Sequence, residues 1–134
     1  MNSKYISTLI IVGVCVLLSA CRDNPTMTWS SEARSPDGRW IASARTDQYS
    51  GPGNAGLYTT VELRRTSGQK SPMEILLLDQ QEVGPITLKM NWLTSSHLEV
   101  AYTEHATLDF QVVKSAGIDI SVRDLSSETA STSK

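Results

Sequence analysis

Residues 56–65 read GLYTTVELRR, and they set the fold class. Leu57, Thr59, Val61 and Leu63 fall on one side of an extended chain, and Tyr58, Thr60, Glu62 and Arg64 on the other. Alternation at a period of two, in a stretch rich in β-branched residues, is the mark of a half-buried antiparallel strand. The same period recurs on the C-terminal side. It sets Ile86, Leu88, Met90 and Trp92 against Thr87, Lys89 and Asn91. It groups Leu98, Val100 and Tyr102, then Leu108, Phe110 and Val112, then Ile118, Ile120 and Val122. MEILLLD (73–79) is apolar without alternation and reads as a more central strand, and WIASART (40–46) as a strand of small residues. A helical period is absent after residue 21. The expectation is one all-β domain of seven or eight strands, built as an antiparallel meander or a small sandwich.

Turn chemistry supports the division. Ser35-Pro36-Asp37-Gly38 has Pro second and Gly fourth, the type I preference. Thr66-Ser67-Gly68-Gln69 and Gly84-Pro85 punctuate the middle. Parity predicts a hairpin with Glu104-His105-Ala106 as its loop, since Leu98, Val100 and Tyr102 then share a face with Leu108, Phe110 and Val112. In that register Glu99 opposes Gln111 and Ala101 opposes Asp109. Trp40, Trp92, Tyr102 and Phe110 are expected in the core.

The N-terminus has a different composition. Met1 to Lys4 is short and positive, Tyr5 to Leu18 is uncharged and mostly Ile, Val and Leu, and Ser19 and Ala20 are small. That is the layout of a cleaved secretory signal. From Tyr5 to Cys21 there are only 17 residues, short of the roughly 20 a spanning helix requires. Leu18-Ser19-Ala20-Cys21 resembles the lipobox of bacterial lipoproteins: an aliphatic residue, a small residue, Gly or Ala, then Cys. The resemblance implies cleavage between Ala20 and Cys21, a diacylglycerol thioether on the Cys21 sulfur and a further acyl chain, such as palmitate, on its new amine. Two or more chains hold a protein firmly, at ~0.8 kcal/mol per buried methylene. Cys15 is then lost with the signal and Cys21 is blocked, so no disulfide is expected and packing alone holds the domain. In the best-known sorting rule of such lipoproteins, Asp directly after the lipidated Cys retains the protein in the inner membrane. Arg22 stands there, which favours the periplasmic face of the outer membrane in a cell that has two membranes.

The expected organisation is a signal peptide over 1–20, the lipidated Cys and a short tether over 21–27, the β-domain over 28–125, and a Ser/Thr-rich disordered tail over 126–134. Removing the first 20 of 134 residues leaves 114, enough for one core. Of 12 basic residues Lys4 leaves with the signal, so eleven face fourteen acids, with no run longer than Arg64-Arg65. Nucleic-acid binding needs a concentrated basic footprint, and none is present.

Few residues suggest chemistry. Gly51-Pro52-Gly53-Asn54-Ala55-Gly56 matches G-x-G-x-x-G. A strand follows it, whereas the dinucleotide fingerprint works through a helix N-terminus. His97 and His105 stand at opposite ends of one predicted strand, roughly 20 Å or more apart at ~3.3 Å per residue, so no shared metal is expected. Each reads as a solvated turn residue. There is no G-x-S-x-G elbow, and Glu99 and Asp109 read as solvated charge. Asp47, Tyr49 and Tyr58 form the one candidate binding set, beside the Gly-rich loop.

SPDGRWIASA also resembles the opening of a β-propeller blade of the kind in periplasmic Tol-associated proteins. A propeller needs at least four blades of about 40 residues, and Leu98 follows Trp40 by 58 residues, so a closed propeller is excluded. The chain is similar to small bacterial lipoproteins in which an SPDG turn, an acid, a Gly-rich loop and a Thr-x-Val-x-Leu-like strand precede a Trp and a Leu-x-Val-x-Tyr strand. Here these are Ser35 to Gly38, Asp47, Gly51 to Gly56, Thr59 to Leu63, Trp92 and Leu98 to Tyr102. That likeness implies a fold and no activity. Three functions are expected in this order: a non-enzymatic envelope accessory protein with a protein or glycan partner and no cofactor; a small-ligand or glycan-binding module using 47–56; and a hydrolase.

Overall fold

The computed structural model describes residues 24–53, 55–68, 71–80, 87–103 and 106–126. Residues 1–23, with the expected signal and Cys21, His105 and residues 127–134 lie outside them. Every regular element among the described residues is a strand. In chain order they are β1 (Thr26–Arg34), β2 (Trp40–Tyr49), β3 (Gly56–Arg65), β4 (Met73–Gln80), β5 (Thr87–Thr94), β6 (His97–Thr103), β7 (Ala106–Gln111), β8 (Lys114–Ser115) and β9 (Ile118–Asp124). β1 starts at Thr26, so the first strand takes two residues assigned above to the tether.

Two sheets share one core. The first has the order β1-β2-β3-β4-β7 and the second β5-β6-β9-β8. Neither closes into a barrel or a propeller. Neighbours pair antiparallel except β6 and β9, which run parallel. The chain passes from one sheet to the other just after β7. Val112 N–H donates to the Ile75 carbonyl in the first sheet, and the next residue, Val113, accepts from Ile120 N–H in the second.

The alternation read from sequence sorts most strands correctly. Leu57, Thr59, Val61 and Leu63 are buried, as are Leu88, Leu98, Val100, Tyr102, Ile118 and Ile120. Trp40 is buried, and Trp92 packs half-buried against the core. Its indole N–H donates to the Ala33 carbonyl, 3.1 Å away, tying the second sheet to the β1 edge of the first. Apolar MEILLLD is indeed interior, flanked by β3 and β7. The register slips between Val61 and Glu62, leaving Ile75 without a partner. That bulge turns both Ile75 and Leu76 inward. The Ser35–Gly38 turn closes as predicted. Gly38 N–H donates to the Ser35 carbonyl, and the buried Ser35 hydroxyl donates to Asp37 Oδ1 at 2.7 Å and accepts from Trp40 N–H.

The predicted 98–102/108–112 hairpin does not form. β6 pairs with β5 and β9, and β7 crosses to pair with β4. Glu99 therefore opposes Asn91 and Ser121, not Gln111, and lies in a different sheet from Asp109. Phe110 is not core. It is 43% exposed and Leu108 39%. A register slip between Leu77 and Leu78 shifts the parity of β7 and sets Phe110 opposite the outward-facing Leu77.

Candidate functional site: the outer face of the five-stranded sheet

Asp47, Tyr49 and Tyr58 come together. β2 and β3 are joined by a short connection, so Tyr49 pairs with Gly56 and Asp47 with Tyr58. Met27 on β1 and Asp79 on β4 extend that row on either side. The two tyrosine rings meet edge-on, centroids 5.6 Å apart and planes at 79°. Gly56 makes room for this pair. A Cβ there would approach Tyr58 Cε2 to 3.0 Å.

Asp47 is a structural ion as much as a recognition group. Its Oδ2 takes the Arg45 Nε at 3.0 Å, and the same guanidinium lies 3.9 Å from Glu62. A depression of about 250 Å³ beside this pair is lined by Met27, Ser30, Glu32, Ser43, Arg45 and Glu62. A wider one of about 530 Å³ on the second sheet is lined by residues including Lys89, Asn91, Glu99, Ala101, Arg123 and Leu125. Asp47, Tyr49 and Tyr58 line neither of these two depressions.

His97 is not the solvated turn residue expected. It is half-buried, and its Nε2 lies 2.9 Å from Ser121 Oγ. Parallel pairing of β6 with β9 makes this contact by placing Ser121 two residues beyond Asp119, the partner of His97. Glu99, opposite Ser121, holds Arg123 at 3.5 Å. A serine nucleophile also needs donors for the developing oxyanion; β8 pairs with β9 only at Ile118 and Asp119, short of Ser121. No group of three or more His, Cys, Asp or Glu among the described residues could hold a metal.

Titration is shifted at three groups. Hydrogen bonds from Ser35 and Arg39 hold the Asp37 carboxyl at about 2. Those from Ser126 lower Asp124. Burial, then the Asp124 charge, pushes the Tyr102 phenol up.

Among the described residues no helix is long and apolar enough to cross a membrane. No protein-family model, curated protein or solved structure matches this chain.

Proposed function

We propose that this chain is a lipid-anchored protein of the bacterial cell envelope whose β-domain is a non-enzymatic interaction module. Leu18-Ser19-Ala20-Cys21 behind an apolar segment supports the anchor, and Arg22 favours the outer membrane. The observation that carries the interaction reading is β7. Among the described residues it is an edge strand, paired with β4, and it leaves Leu108 and Phe110 substantially exposed. Exposed edges with apolar side chains recruit another chain unless something covers them. Leu108 lies opposite inward-facing Leu78 and Phe110 opposite outward-facing Leu77, so a partner chain added at the strand edge would meet one on each face.

A photo-crosslinking residue at Phe110 in intact cells tests this reading. One discrete adduct, absent when the probe replaces Ser67 at the far end of the domain, is expected. No adduct above the Ser67 control refutes it. Cys21→Ser tests the anchor separately. The parent should incorporate labelled palmitate and the variant should not, and equal labelling of the two, or a parent without lipid mass on the peptide that begins at Cys21, refutes lipidation.

A second reading, a ligand- or glycan-binding module, draws support from the gathering of Asp47, Tyr49 and Tyr58. It predicts that glycan fragments perturb tyrosine fluorescence and that Tyr58→Ser abolishes the change. The hydrolase reading ranks third. The Ser121–His97 contact favours it, and Ser121→Ala should leave any ester hydrolysis unchanged if the module is not an enzyme.

A further inference from the structure

The strand ends of this sandwich sort onto two poles. At one stand the start of β1, the end of β2 with Ser50 and Pro52, the start of β3 and the end of β4, joined by the pairs Met27–Asp47, Tyr49–Gly56 and Tyr58–Asp79. At the other stand the Ser35–Arg39 turn and residues 66–68, linked by Thr66 N–H to the Arg39 carbonyl. Thr26 is five residues on from Cys21, a reach of at most ~18 Å. Arg34, at the far end of β1, lies eight residues beyond Thr26, ~26 Å at 3.3 Å per residue. A chain held at Cys21 therefore keeps the start of β1 within ~18 Å of the bilayer, while the second pole can stand up to ~26 Å farther out.

The first pole has the composition of an interfacial surface. Met27 is 60% exposed, Pro52 is exposed, and Tyr49 and Tyr58 are half-buried with polar tips. Tyrosines of this kind settle at the headgroup level of membranes. Arg45 neutralises Asp47 at 3.0 Å, while Asp79 and Asp124 add negative charge, which suits an uncharged headgroup layer and disfavours an anionic one.

We infer that the pole bearing Met27, Tyr49 and Tyr58 rests on a zwitterionic phospholipid surface, the bilayer that holds Cys21. The inference depends on the anchor proposed above. The module then stands upright, with the Asp37 turn facing away from the membrane. With Cys15 removed and Cys21 acylated, a cysteine introduced at Ser50 or Ser67 is the sole reactive thiol.

The full lipidated protein, as Ser50→Cys or Ser67→Cys carrying a bimane label, is placed in phosphatidylcholine vesicles containing a headgroup nitroxide lipid. Quenching is expected to be several-fold stronger at position 50 than at 67. Met27→Ser with Tyr58→Ser should bring the two positions together while the protein still floats with the vesicles. Equal quenching at both positions in floating unaltered protein overturns the inference and leaves the anchor standing. Failure to float removes the anchor, and the inference with it.

Discussion

Thr46 and Thr59 face each other across β2 and β3 with hydroxyl oxygens 2.7 Å apart, both buried. A hydroxyl in that position is tolerated because its opposite number satisfies it. Thr46→Val keeps the β-branched shape and removes one oxygen, leaving the Thr59 hydroxyl in the core without its partner. An orphaned buried group costs about 1–3 kcal/mol, whereas replacing both partners by apolar groups of the same shape is close to neutral. Each single valine variant should therefore lose about 1–2 kcal/mol, and the double variant should lie within about 0.5 kcal/mol of the starting protein. For a domain of this size the singles should melt roughly 4–8 °C lower and the double within a few degrees of the parent. Urea unfolding of the segment from Arg22 to Lys134, which carries neither the apolar N-terminus nor Cys21, followed by tryptophan fluorescence, gives all four corners of the cycle. Additive single effects, with the double variant the least stable, would refute the claim that the two hydroxyls stabilise only as a pair.

Three further outcomes follow from local geometry. The Asp37 carboxyl is held at about 2, below its ordinary 3.8, by Ser35 and Arg39. Its contribution is therefore present above about pH 4 and lost as pH falls toward about 2. The stability gap between the parent and Asp37→Asn should be constant near neutrality and close over that window, and a gap that persists unchanged in acid contradicts the assignment. Ala116 and Gly117, the two residues between the paired Ser115 and Ile118, both have positive φ, 49° and 84°. Asn suits the first position of such a turn, so Ala116→Asn should raise stability by about 0.5–1 kcal/mol, and a lower midpoint would show that the turn is strained for another reason. Trp92→Phe removes the donor to the Ala33 carbonyl and should cost about 1–2 kcal/mol. Amide exchange in β1 should rise more than in β3, and unchanged β1 protection argues against the tie.

Alternation made the inner faces of β3, β5, β6 and β9 legible, because a strand with one face on a core must repeat at two. The errors trace to register. Bulges at Ile75 and beside Leu78 each insert a residue that a strict period cannot anticipate. The first makes an apolar run look simply central, and the second turns Phe110 outward. The hairpin error has a different cause. Adjacent strands in sequence usually pair, yet β7 leaves β6 for β4, and β9 returns to run parallel to β6. The same long-range choice hid the His97–Ser121 contact, whose partners are 24 residues apart with an excursion into the other sheet between them. Asp47, Tyr49 and Tyr58 could be grouped because a short loop fixes their register locally.

Charge bears on where the proposed partner would dock. The pole at the Ser35–Arg39 turn carries Arg34, Arg39, Arg64, Arg65 and Lys114, and by count alone it invites an acidic partner. Most of these cations are already engaged. Arg39 holds Asp37 at 2.6 Å, Arg64 holds Glu32 at 3.1 Å, Lys114 holds Asp119 at 3.0 Å, and Arg65 lies 4.8 Å over the Trp40 ring. An acidic ligand would have to displace these contacts, which are solvent-exposed and screened by salt in any case. β7 has no such internal competitor for its apolar side chains. Desolvating Leu108 and Phe110 is favourable against any apolar surface, and the open strand edge adds directional backbone bonds. An interface centred on β7 should therefore keep its affinity as salt is raised, whereas one centred on the arginine pole should lose it.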